Sequence, residues 1–151
     1  MSSLSDDAVA QLNQHKGGWN RTMDLTFVVA TADQVIADVV VGDQHLQPYG
    51  IVHGGVHAGI IEAACSTGAA LFALARGQSV VGLENSTSFI RAARGGTLRV
   101  TARPLTRGRR TQAWEATVTD GDGKTLATGR VRLLCLEPDS DLAGEKPGIK
   151  A

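Results

Sequence analysis

GGVHAGIIEAACSTGAALFALAR, residues 54–76, decides how this chain folds. It runs for 23 residues without proline and with a single carboxylate, Glu62. Its length and apolarity approach those of a membrane span, which needs about 20 apolar residues. Four glycines, His57, Glu62, Ser66 and Thr67 argue against lipid. A helix apolar nearly all round is otherwise the buried central helix of a globular core. Gly77 follows it as a C-terminal stop.

A lone carboxylate on such a helix is costly unless paired or used. Stepping three, four and seven residues either way from Glu62 reaches Gly55, Ala58, Gly59, Cys65, Ser66 and Ala69, all small. The opposite stripe of Val56, Ile60, Thr67, Leu71 and Leu74 is bulkier and is expected to pack. Two readings of Glu62 stand side by side. One is a buried carboxylate satisfied by Ser66 one turn on and by a sheet. The other is a cleft carboxylate acting as base or nucleophile. At the start of the helix, His53-Gly54-Gly55 aims unpaired N–H groups outward with the positive end of the dipole behind them. That suits a carbonyl oxygen gaining negative charge, and equally suits tight packing of helix on sheet. Gly54 and Glu62 are eight residues apart, about 12 Å of rise. One helix cannot bring both to one carbonyl, so a second chain is expected to supply one of them.

Outward from the helix, the chain reads as strands. Asp24–Ala30 and Gln34–Gly42 are Val-rich and broken at Ala32-Asp33. Residues 43–53, DQHLQPYGIVH, form a loop too long to be mere connection. Ser79–Ala93, Thr97–Thr106, Arg110–Asp120 and Thr125–Glu137 follow the helix as four more strands. Gln112, Trp114, Ala116 and Val118 alternate with Thr111, Glu115 and Thr117, a period of two. DGDGK (Asp120–Lys124) signals a hairpin, and Pro104 an edge position or a bulge. Leu4–His15 predicts a short amphipathic helix capped by Ser5 and ended by Gly17-Gly18. The expected divisions are an N-terminal helical segment at 1–20, one α+β domain at 21–138 and a flexible tail at 139–151. A sheet of about six strands covers one long helix only by curling around it, and self-association covers what is left.

The chain has 151 residues and 15.8 kDa, the size of one domain. Aromatics are only 4%, so the core must be aliphatic. Fifteen Lys and Arg balance fifteen Asp and Glu, which leaves no global field for nucleic acid or an anionic membrane. Any anion site must be local. Cys65 and Cys135 lie in apolar stretches, without a disulfide framework. With no charged-then-apolar leader after Met1, a cytoplasmic location is expected.

QPYGIVHGGVHAGIIEAACS and the following VVGLE resemble the signature of hotdog-fold acyl-CoA thioesterases. The branch containing 4-hydroxybenzoyl-CoA and 1,4-dihydroxy-2-naphthoyl-CoA thioesterases is the nearest, and the resemblance spans residues 34–136. It implies a hotdog fold, an antiparallel sheet curled around one long helix. It implies hydrolysis of an acyl-CoA, aromatic in that branch, to acid and CoA. Glu62 would be the general base or nucleophile, and the Gly54 N–H would polarise the thioester carbonyl. Gln47 and Ser66 would hold the carbonyl or the attacking water, and His53 would support the loop. One subunit would give the glutamate and its partner the Gln–His–Gly elements, within a homodimer at least and a homotetramer as the usual assembly. The run Asn85-Ser86-Thr87-Ser88-Phe89 before Arg91 departs from the naphthoyl branch, which tends to carry a histidine there. CoA would be part of the substrate, with no separate cofactor. Phe89, Arg91, Arg109, Arg110 and Thr111 are the expected substrate and phosphate contacts, since arginine clusters grip phosphate with forked donors. Gly82 would let the pantetheine arm pass its strand.

Other readings are weaker. His53 and His57 are four apart, but no HEXXH motif or third ligand accompanies them, so no metal site is expected. Ala64-Cys65-Ser66-Thr67-Gly68 lacks the first glycine of a serine nucleophile elbow and lies within a helix. A hotdog enoyl-CoA hydratase and a non-catalytic acyl-CoA-binding protein on the same fold remain as alternatives.

Overall fold

β1 (Thr26–Ala30) and β2 (Val35–Val40) open the sheet, and a 3-10 turn at Asp43–His45 begins the long loop. The central helix α3 (Gly54–Leu74) follows, then β3 (Ser79–Phe89), β4 (Thr97–Arg107), β5 (Thr111–Thr119) and β6 (Thr125–Leu136). Ahead of β1 lie α1 (Leu4–Gln14) and a short α2 (Gly18–Thr22). This computed structural model describes residues 4–149. The ends of the expected N-terminal segment and tail, residues 1–3 and 150–151, lie outside the described residues.

The six strands form one sheet in the order β1-β2-β4-β5-β6-β3, every neighbouring pair antiparallel. The sheet curls around α3 in a hotdog fold, as the resemblance implies. Val35, Ala37, Val39, Leu98, Val100, Ala102 and Val118 meet Ile60, Ile61, Ala64, Cys65 and Ala69 of the helix in a single core. Burying each Val, Leu or Ile contributes about 1.5–3 kcal/mol. Trp114, fully buried in β5, packs against α3 at Gly68, where a β-carbon would fall 2.4 Å from its ring. α3 is long and apolar enough to cross a membrane by length and composition, yet half of it is buried inside this chain.

The period of two in β5 holds, with Gln112, Trp114, Ala116 and Val118 inward. Pro104 lies in a central strand, so its mark is a bulge between Pro104 and Thr106 and not an edge. The Asp120 turn closes as expected, with Asp120 Oδ1 accepting from the N–H groups of Asp122 and Lys124. Ser5 falls inside α1, which begins at Leu4, so it is not the expected cap. Gly17-Gly18 does not simply end a helix; Gly18 starts another. Asn13 turns the end of α1 into a substitute strand. Its side chain donates to the Phe27 carbonyl at 2.9 Å and accepts from the Phe27 N–H at 2.8 Å, capping the β1 edge.

Candidate active site

Glu62 is exposed on α3, beside the sheet edge at β3. Its partner is not Ser66, which makes no side-chain hydrogen bond among the described residues. Glu62 Oε2 accepts instead from Asn85 Nδ2 at 3.3 Å. The same amide donates to the Ala58 carbonyl at 2.9 Å, while Asn85 Oδ1 accepts from the Thr87 hydroxyl at 2.6 Å. Those acceptor and donor partners leave the amide one orientation, N–H toward the carboxylate. Glu62 Oε1 lies 2.7 Å from where a β-carbon of Gly82 would stand. Gly82 therefore makes room for the carboxylate in this chain, which is the nearer reason for a glycine there.

Asn85 faces the helix because β3 changes parity. The pairing with β6 slips between Gly82 and Glu84, leaving Leu83 as the extra residue of a bulge. Val80 and Gly82 point inward before it; Asn85, Thr87 and Phe89 do so after it. Sequence reasoning missed Asn85, since a bulge cannot be read from alternation in a polar run. The small-residue stripe is also only partly open. Cys65 and Ala69 are buried, and burial with the charges of Glu62 and Glu115 pushes the Cys65 thiol up to about 12. That cysteine is no nucleophile.

The second cluster surrounds the start of α3. His53 is its N-cap, and His53 Nδ1 accepts from the Gly55 N–H at 2.8 Å. The Val56 N–H bonds the His53 carbonyl at 2.9 Å. The Gly54 N–H alone of these three has no acceptor among the described residues. The ring of Phe89 lies over Gly54, 2.7 Å from the place a β-carbon would take. Gln47 begins the turn before the helix, its carbonyl bonded by the Gly50 N–H and its Oε1 by the Tyr49 N–H. Arg94 pins that turn by donating to the Tyr49 carbonyl at 2.8 Å and the Gly50 carbonyl at 3.3 Å.

His45, which sequence reasoning passed over, seats the whole loop. It is fully buried, its Nδ1 accepts from the Gly42 N–H, its Nε2 meets the Met23 carbonyl at 2.8 Å, and its own carbonyl accepts from the His53 N–H. Its sequence signal is a histidine two residues before Gln47 in the long 43–53 loop. His57 lies on the helix beside Phe89, ring centroids 6.3 Å apart, and is buried, whereas His53 is exposed. No group of three or more His, Cys, Asp or Glu side chains placed to hold a metal occurs among the described residues.

The two clusters stay about 12 Å apart along the helix within one chain. The arginines divide in the same way. Arg91 follows β3 at the Phe89 end, where its N–H bonds the Leu126 carbonyl. Arg109, Arg110 and Thr111 lie at the β4–β5 turn, near the first residues of β3. Ten residue steps along β3 separate the two ends, about 33 Å. One chain therefore does not join Arg91 to Arg109 and Arg110. Arg109 is paired with Glu137 at 3.3 Å, and the side chains of Arg91 and Arg110 have no partner among the described residues. A polar hollow lined by Glu84, Ser86, Thr101, Arg103 and Glu115 lies on the other face of the sheet, away from Glu62.

Comparison with known proteins places these features. The sequence profile of the Thioesterase superfamily matches residues 49–127, which include Gly54, Glu62 and all of β3. A Mycobacterium tuberculosis protein that bears the name of an esterase is 38% identical over 135 residues, 88% of this chain and 96% of that one. Its solved structure superposes with a TM-score of 0.80, covering 82% of this chain and all of the other. The proofreading thioesterase EntH of Cronobacter sakazakii is 30% identical over 90% of this chain and 93% of its own. The 1,4-dihydroxy-2-naphthoyl-CoA hydrolase of Escherichia coli is 31% identical over 76% of this chain and 83% of its own.

Proposed function

The chain belongs to the Thioesterase superfamily and is a thioester hydrolase, and from that premise we propose that it cleaves acyl-CoA thioesters with an aromatic acyl group, releasing the acid and CoA in the cytoplasm. The observation that carries this reading is the exposed Glu62 carboxylate, oriented by Asn85 on a line of small residues. The name of the naphthoyl-CoA hydrolase, a 31% identical relative, supports an aryl acyl group and CoA.

The chemistry divides between two chains. Glu62 of one attacks the thioester carbonyl or takes a proton from the attacking water. The Gly54 N–H of the other receives the carbonyl oxygen as it gains negative charge, backed by the dipole of α3. Gln47 and Ser66 hold the carbonyl or the water, and His53 keeps the helix start in shape by occupying the Gly55 N–H. Arg91 from one subunit, with Arg109, Arg110 and Thr111 from another, takes the CoA phosphates. The pantetheine arm passes Gly82. The 11-residue β3 edge, with Leu83 and Phe89 exposed, supports pairing of two copies into a homodimer that doubles to a tetramer.

Glu62→Gln keeps the shape and removes the basic oxygen. In a thiol-trapping assay over aryl- and fatty-acyl-CoAs, it is expected to lower kcat by about 100-fold or more with a modest change in KM. Near-normal turnover of this variant overturns the mechanism. No release of CoA from any acyl-CoA by the native protein overturns the reaction.

A further inference from the structure

We propose that Trp19, in the short helix ahead of the sheet, is the wall against which the acyl group packs beside Glu62, and so sets acyl selectivity. The inference rests on the aryl acyl-CoA reading above and adds a residue from a segment that sequence reasoning kept outside the domain. Helical geometry places it. Each residue turns the helix by about 100°, so Ala58 lies about 40° to one side of Glu62 and Gly59 about 60° to the other. The Ala58 side belongs to β3, whose Asn85 binds both the Ala58 carbonyl and Glu62. The Gly59 side belongs to Trp19. A β-carbon on Gly59 would fall 2.2 Å from Trp19 Cζ2 and 2.5 Å from Cη2, so the indole rests on the bare helix backbone. Around the helix the carboxylate therefore stands between β3 on one side and, one turn toward the N-terminus, the indole on the other.

The indole is held, yet not used up. α2 is tied down by the Leu25 N–H on the Asn20 carbonyl at 2.9 Å and by fully buried Leu25. His45, which seats the Gln47–His53 loop, also binds the Met23 carbonyl at the end of α2. Even so, Trp19 remains 44% exposed, whereas Trp114 is 0% exposed. A rigid, half-open aromatic surface next to a catalytic carboxylate gives a flat aryl group a stacking or edge-on partner, which a straight alkyl chain exploits less well. Trp19 also lies outside residues 49–127, the part matched by the Thioesterase superfamily. The matched part carries Glu62 and Gly54, and the indole reaches their helix from a segment ahead of it.

The test compares kcat/KM for 2-naphthoyl-CoA, benzoyl-CoA and hexanoyl-CoA in the native enzyme and three variants. Trp19→Ala is expected to reduce the preference for aryl over hexanoyl thioester by about tenfold or more. Trp19→Phe keeps most of that preference. Gly59→Ala leaves the tryptophan in the chain but displaces its ring, and is expected to follow Trp19→Ala. If Trp19→Ala does not fold, the last two variants carry the comparison. A second readout is binding of 2-naphthoyl-CoA to Glu62→Gln. Trp19 fluorescence is quenched, and quenching is lost in Glu62→Gln/Trp19→Phe although buried Trp114 remains. An aryl preference unchanged in Trp19→Ala and Gly59→Ala, or quenching that survives loss of Trp19, overturns the wall alone. A native enzyme that cleaves hexanoyl-CoA and no aryl thioester overturns the aromatic reading, and the wall with it.

Discussion

His57 is 3% exposed, and its Nδ1 has no hydrogen-bond partner among the described residues. Burial holds its pKa below the ordinary 6.5. The folded chain therefore resists a proton that the unfolded chain accepts near pH 6.5. Stability from this group is whole above that pH and falls as pH drops from there toward the lowered folded value. The thermal midpoint of the native protein is expected to decline between pH 7 and 5, and His57→Leu to decline less steeply. Parallel slopes in the two scans contradict this account. Glu62 differs in kind. It is exposed and held by one amide, so what Asn85 controls is the direction of the carboxylate.

At the scale of the element, α3 works because three of its glycines each lie under a ring: Gly54 under Phe89, Gly59 under Trp19 and Gly68 under Trp114. Two strands of the sheet, β3 and β5, and a short helix all approach one backbone closely. The bulge at Leu83 does the rest by turning Asn85 and Phe89 toward that helix. Gly82→Ala tests this pairing of elements. Its β-carbon would meet Glu62 Oε1, the far end of a flexible side chain, so the carboxylate moves and the fold does not. The expected result is a kcat loss of about tenfold to 100-fold with little change in thermal midpoint, since small displacements of a catalytic group cost that much. An unchanged kcat shows that Glu62 is free to choose another rotamer without loss.

For the whole molecule, the question is how two clusters about 12 Å apart on one helix serve one carbonyl. A complete site formed from two chains answers it. Mixing Glu62→Ala with Gln47→Ala subunits, each nearly inactive alone, is expected to restore activity toward about a quarter of the native level. Half the random dimers are hybrids, and each hybrid has one intact site. A fully active monomer in sedimentation, or no recovery after subunit exchange is shown, contradicts the shared site. The same geometry separates Arg91 from Arg109 and Arg110 by the length of β3.

The amino-acid sequence by itself determined the long helix, the strands around it and the hairpin turns. Those features depend on local periodicity, on glycine and on the absence of proline between residues 54 and 76. It also singled out Glu62, His53 and Gly54, because a lone carboxylate and a glycine-rich helix start stand out along the chain. Only the tertiary structure decided that Asn85 binds Glu62, that His45 joins two segments, and that Trp19 lies against Gly59. Each of those contacts joins residues 22 to 40 positions apart. They follow from a one-residue bulge, a buried turn and a short helix set by packing, none of which leaves a periodic mark in sequence.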